Sequence, residues 1–195
     1  MSKADQTRLT ILSKALELVY RNGYQSTSVD DIIANTKVTK GAFYYHFSSK
    51  DDMGLAMIND VMYPGMREVM IKPLIQSAAP ITDLYKMMET LLKDEQHFDV
   101  AFGCPAINLI EEMSPLNAEF NKALSKLSLE WQKAIQASVE QGKVRGVVRA
   151  GVDSKQVAHF VIAGYGGIRN LGKVFGRACY TTYLKELKNY LQTLA

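Results

Sequence analysis

An all-α protein of about nine helices is predicted by three features of the 195-residue sequence. Apolar residues recur almost throughout at the three-to-four-residue spacing of amphipathic helices. Ser, Thr and Asp caps and Gly or Pro breakers punctuate that pattern at helical intervals. Period-two alternation is missing except briefly at 144–149, so no sheet is expected.

The elements follow in order. Over 3–22, Leu9, Leu12, Leu16 and Val19 form one stripe, widened by Ile11, Ala15 and Leu18, and Gly23 supplies the stop. Ser26, Thr27 and Ser28 offer caps for a short second helix, with Asp30 and Asp31 in its first turn where the helix dipole favours acids. A turn is expected at Thr36-Lys37-Val38, and Thr39 can cap a third helix. Phe43 and Phe47, four apart, face inward against Ile32 and Ile33, which leaves Lys40 and Tyr44 pointing outward. Ser49 with Asp52 three residues later reads as a capping box for a fourth helix through Met53, Leu55, Ile58, Val61 and Met62.

Pro64-Gly65 should kink or end that helix, and Pro73 with the 77–80 cluster marks a connection. Further helices are expected at roughly 81–97, 105–113, 115–141, 154–172 and 177–194, with Pro105 and Pro115 in first-turn positions. Gly142 and GVVRAGVD (146–153) form the clearest loop of the second half. The domain reading is a helix-turn-helix domain over 1–50 and the remaining helices over 51–195.

Composition excludes several classes. No apolar run approaches the roughly 20 residues that span a bilayer, and MSKADQTRLT has no signal-peptide core, so a cytoplasmic protein without a membrane partner is expected. Cys104 and Cys179 make no disulfide framework and lack zinc-site spacing. HExxH, GxSxG and phosphate-loop motifs are missing, and His46, His97 and His159 have no evident catalytic partner in sequence. No enzyme activity, metal or cofactor is therefore expected.

The net charge is only +3, yet residues 1–50 hold seven Lys/Arg against four acids, and the remainder is neutral. All the excess positive charge thus lies beside 28–50, SVDDIIANTKVTKGAFYYHFSSK, where phosphate binding would favour it. A short helix, a tight turn and a second short helix suit a protein that lays one helix in the major groove of DNA.

The strings ILSKALELVYRNGYQSTSVDDII and VTKGAFYYHFSSKDDM resemble the N-terminal domain of the TetR (tetracycline repressor-like, TetR/AcrR) family of transcriptional regulators. The resemblance is specific over roughly the first 55 residues and continues beyond them in helix number, length and order. Lys37 departs from it, standing where the family often has Gly in the turn. The resemblance implies an all-α homodimer with an N-terminal three-helix DNA reader and a C-terminal ligand-binding and dimerisation domain. Its partners would be a double-stranded DNA operator, a second copy of the chain and a small-molecule effector.

Thr27, Thr39, Lys40, Gly41, Tyr44, Tyr45, His46 and Lys50 are the expected DNA contacts. Thr27 and Lys50 begin helices where phosphate can be bound, and Thr39, Lys40 and Gly41 start the recognition helix. Met66, Met70, Met87, Met88, Phe98, Phe102, Cys104, Asn108, Trp131, Ile135, Phe160 and Tyr165 are the candidates for an apolar, adaptable ligand pocket. Gly164 and Gly167, with Leu184, Leu187 and Leu191 on the final helix, are the candidates for a four-helix dimer interface.

The expected activity is that of a dimeric repressor released from a palindromic operator by a small, largely hydrophobic ligand. Two rivals remain open. One is a thiol-based redox or electrophile sensor using Cys104, which precedes a Pro-initiated helix. The other is a DNA-organising protein that senses no ligand.

Overall fold

The computed structural model describes residues 2–75 and 77–195, and it is helical with no strand among them. Its α segments are α1 (Lys3–Asn22), α2 (Val29–Ala34), α3 (Lys40–His46), α4 (Lys50–Met57), α5 (Tyr63–Met66), α6 (Pro80–Lys93), α7 (Pro105–Met113), α8 (Ala118–Val144), α9 (Ser154–Phe175) and α10 (Ala178–Gln192). π turns at Ile58–Met62 and Arg67–Ile71 join α4 and α5 into one helical run that ends in a 3-10 turn, Lys72–Leu74. Counted as rods, the described residues make nine helices.

Pro64 therefore does not end the fourth helix. Its missing N–H and bulky ring are accommodated by wider π turns on either side of α5, the usual way a helix absorbs such a fault. At the next breaker the α8 helix runs through Gly142 to Val144. A Cβ on Gly142 would fall 2.6 Å from Val148 and 2.7 Å from Pro80, so this glycine serves close packing. The stop is Gly146, at φ +71°, beside which the amides of Val147 and Val148 close onto the Gly142 carbonyl. Nor does Pro115 start α8: Asn117 does, accepting the N–H groups of Glu119 and Phe120 at 2.9 and 3.3 Å.

Two compact units emerge. The first is the chain up to Gly65 together with Pro105–Lys126, and the second is Met66–Cys104 with Leu127–Ala195. The first unit thus runs past residue 50 and takes in a later segment.

In the first unit α1 buries Ile11, Leu12, Ala15 and Val19, α2 buries Ile32, and α3 buries Phe43. Phe120 from the later segment packs edge-on to Tyr24, ring centroids 4.9 Å apart. Gly54 lets these rings close over α4, since a Cβ there would lie 2.6 Å from Phe120 and 2.8 Å from Tyr24.

In the second unit α6 buries Leu84, Met87, Met88, Leu91 and Leu92, and α9 and α10 pack as neighbours. Leu184, Leu187 and Leu191 of α10 are buried inside the protomer. The spacing that made them interface candidates belongs instead to the intramolecular core, because α10 lies on α6 and α9.

Candidate functional site

The first unit carries a capped three-helix array, α1 to α3. Each of its helices begins with a side-chain lock: Ser2 and Asp5 form a capping box on α1, Ser28 and Asp31 one on α2, and the Thr39 hydroxyl accepts the Ala42 N–H at 3.2 Å on α3. At α4 the Ser49 hydroxyl accepts the Asp52 N–H, but the Asp52 carboxylate reaches one residue further back, to the Ser48 N–H at 2.9 Å.

Anchored by Phe43 and Phe47, α3 turns its other face to solvent. Lys40, Gly41, Tyr44 and Tyr45 are all exposed, Tyr45 to 79%. Nothing lies within 4 Å of a Cβ placed on Gly41, so the surface there is open to close approach. Lys40 pairs with Asp30 of α2 at 2.9 Å, and that hydrogen bond together with the carboxylate's charge holds its ammonium above the ordinary lysine range. His46 is half-buried, its ring edge-on to Tyr45 at 5.0 Å.

Two expected phosphate ligands are placed otherwise. Thr27 is 1% exposed, and its hydroxyl donates to the Gly23 carbonyl at 2.7 Å, so it closes the α1–α2 turn; Ser28 is the cap of α2. Lys50 lies 4.5 Å above the Tyr24 ring and donates to the Gln25 carbonyl at 3.4 Å. Burial lowers its pKa, and its ammonium is directed at the turn. Both residues brace the reader from behind.

That brace includes residues the sequence did not advertise. Glu112 of α7 accepts the backbone N–H groups of Tyr24 and Gln25 at 2.8 and 2.7 Å, one on each carboxylate oxygen. Tyr24 donates its hydroxyl to the Asp51 carboxylate at 2.8 Å and to the Lys50 carbonyl at 2.9 Å. Asn117 binds the other Asp51 oxygen at 3.1 Å. Partners 66 to 88 residues apart leave no local pattern to read.

In the second unit, part of the expected pocket comes together. Cys104, Trp131 and Tyr165 are buried side by side: Trp131 is edge-on to Tyr165 at 5.4 Å, and Tyr165 shares a side-chain hydrogen bond with Cys104. Met66, Met87, Met88 and Ile135 are buried too, and Met70, Phe98 and Phe102 are half-buried. Phe160 is not part of this core. It is 48% exposed on the outer face of α9, stacked on Tyr190 with centroids 4.1 Å apart. Asn108 belongs to the first unit, whereas the other candidates belong to the second.

The centre of the cluster is a residue that sequence reasoning passed over. Arg169 of α9 is 1% exposed, its Nε donates to the Tyr165 hydroxyl at 3.2 Å, and its Nη2 donates to the Leu91 carbonyl near the end of α6. Its guanidinium carbon lies 4.7 Å from the Phe98 ring centre, 5.2 Å from that of Tyr165 and 5.6 Å from that of Tyr180. Burial pushes its pKa down, but Tyr165, Cys104 and Tyr180 outweigh that and leave it raised. The hydroxyl of Tyr165 is pushed well up, by burial first and then by Cys104. A separate open depression of about 280 Å³, lined by Arg149, Val152, Asp153, Gln156, Tyr190 and Leu194, contains none of the expected pocket residues.

Of the interface candidates on α9, Gly164 lies under the Tyr183 ring and Gly167 is exposed. Phe160, Ala163, Gly167, Leu171 and Val174 form an outward stripe at three- and four-residue spacing.

A braced recognition helix ahead of an all-helical second unit defines a helix-turn-helix DNA-binding regulator. The sequence matches the family model for bacterial regulatory proteins of the tetR family over residues 11–57. It also matches the tetracyclin repressor-like C-terminal domain over 80–185, more than half of the chain. The chain belongs to the TetR family and is a transcriptional regulator, not an enzyme.

Among its relatives, an HTH-type transcriptional regulator in the lacX 3' region of Lactococcus lactis subsp. lactis is 33% identical over 129 residues, 66% of each chain and just under two thirds of that protein. The HTH-type transcriptional repressor DhaR of Mycobacterium sp. (strain GP1) is 26% identical over 82% of this chain and 79% of its own. A TetR-family regulator from Cytophaga hutchinsonii shares the fold with a TM-score of 0.88 at 22% identity, covering 100% of this chain and 97% of that one. Among the described residues no helix is long and apolar enough to cross a membrane.

Proposed function

We propose that the protein is a dimeric repressor that binds a palindromic operator through α3 and leaves it when a small organic effector enters the second unit. The observation that carries this reading is the open outer face of α3, with Lys40, Gly41, Tyr44 and Tyr45 displayed on a helix fixed from behind by Phe43 and Phe47. Thr39 and Lys40 lie at the helix start that approaches base edges, and Tyr44 offers a ring for thymine methyls and a hydroxyl for phosphate. DNA must take over from Asp30 as the partner of Lys40, so the acid weakens non-specific binding and favours sites that engage the ammonium well.

Fluorescence anisotropy with DNA from upstream of the gene, at several salt concentrations, tests the reading. Tyr44→Ala should cost about 1–3 kcal/mol of operator binding. Lys40→Ala should flatten the salt slope by about one phosphate contact, whereas Asp30→Asn should tighten binding to scrambled DNA. Equal affinity of the unaltered protein for scrambled and upstream DNA would reject an operator-specific repressor in favour of a DNA-organising protein.

A thiol route through Cys104 is a second reading, favoured by its side-chain hydrogen bond with Tyr165, which places the thiol in the same buried cluster as Arg169. Cys104→Ser would then keep DNA binding and lose release by electrophiles. An unchanged response in that variant removes the reading.

A further inference from the structure

We infer that the effector is a small organic carboxylate whose anionic group is received by Arg169. This deepens the repressor reading and rests on it for the link to DNA. A buried arginine is ordinarily matched by a carboxylate, because an unpaired charge in the interior is costly. Arg169 is buried, yet among the described residues it forms no ion pair with an acid. What surrounds it carries only partial negative charge: the Leu91 carbonyl near the α6 C-terminus, the Tyr165 hydroxyl and three ring faces. Hydrogen bonds to Tyr165 and Leu91 engage two of its five N–H donors.

The polar groups nearby also run to donors. The Trp131 Nε1–H, on the ring edge-on to Tyr165, and the Tyr180 hydroxyl, on a ring facing the guanidinium, are buried without a partner. Both residues are more than nine-tenths buried. A buried guanidinium, with an indole N–H and a phenol unpartnered on neighbouring rings of the same cluster, complements a ligand rich in acceptors, with one negative charge and an apolar body. A planar carboxylate fits the fork of the guanidinium, and the rings of Phe98, Tyr165 and Trp131 fit the body. A neutral hydrophobic ligand would leave the guanidinium without an acid partner.

Trp131 is the sole tryptophan of the chain, so its emission reports directly on this cluster. The test titrates the full-length protein with benzoate and cinnamate, and with benzamide and cinnamamide as neutral isosteres, at constant ionic strength. The acids should change Trp131 emission saturably, raise the melting temperature and release upstream DNA, with the amides at least tenfold weaker. Arg169→Met should weaken the acids at least tenfold, and Arg169→Lys should keep part of the response. Amides as effective as acids would overturn the inference. So would millimolar acids that leave Trp131 emission unchanged, or a folded Arg169→Met protein that responds like the unaltered one. If Arg169→Met fails to fold, the acid-to-amide ratio in the unaltered protein and in Tyr180→Phe decides the matter. Acid binding at Trp131 in a protein with no preference for upstream DNA would retain the site and refute the repressor reading alone.

Discussion

At the residue scale, the exposed face of the reader was legible and its supports were not. Lys40 and Tyr44 point outward because Phe43 and Phe47, at helical spacing beside them, must point inward. Thr27 misled because a threonine ahead of a helix looks like a cap, whereas here the neighbouring Ser28 holds that role. Arg169 was invisible for a deeper reason. Arginines are usually solvated, and apart from Tyr165 one turn back the groups that retain this one come from other segments: α6, the 94–104 loop and α10. Glu112 belongs to the same category and makes a prediction. Glu112→Ala strands two backbone N–H groups, so the protein should lose about 1–3 kcal/mol in thermal or denaturant unfolding. Operator affinity should fall with it, since the α1–α2 turn sets the placement of α2 and α3. An unchanged melting curve would show that solvent satisfies those amides instead.

At the element scale, the caps at Ser28, Thr39 and Ser49 were readable, whereas the equally local cap at Asn117 was hidden behind Pro115. Breakers were read less well, because Pro64 and Gly142 act within helices whose packing keeps them intact. The close approach at Gly54 is sharply testable. Gly54→Ala would drive a methyl into Phe120 and Tyr24, and overpacking of this kind costs about 1–3 kcal/mol despite the gain in helix propensity. A stabilised Gly54→Ala protein would mean that both rings can retreat.

Tyr24 in the same packing adds a pH dependence. Burial first, then the hydrogen bond to Asp51, raises its pKa far above that of a free tyrosine. The unfolded chain ionises near pH 10 while the folded one stays neutral, so this contribution to stability is complete below about pH 10 and declines above it. Melting temperature should therefore fall between roughly pH 9.5 and 11 more steeply for the unaltered protein than for Tyr24→Phe. Parallel curves would assign the alkaline loss to other groups.

At the scale of the whole molecule, the dimer proposed above would use the outer face of α9. The α10 leucines are committed to the protomer, while Phe160, Leu171 and Val174 form an apolar stripe in solvent. Pairing two such faces would cover them. Replacing Phe160 and Leu171 together by Glu should give a folded monomer by light scattering, with operator affinity reduced at least tenfold. A dimer that survives both charges would place the interface on another face.

The discontinuity of the first unit bears on how such regulators are made and recombined. The α1–α2 turn is latched by Glu112 and the Tyr24 ring is covered by Phe120, so the reader borrows its final supports from a stretch synthesised after the α6 helix. On the ribosome, α1 to α4 emerge capped but unbraced, and the finished reader must await residue 126. A chimera exchanging only 1–65 between relatives would mismatch these supports. The natural unit of exchange is a two-part cassette, 1–65 with 105–126, because these two segments together form the first unit.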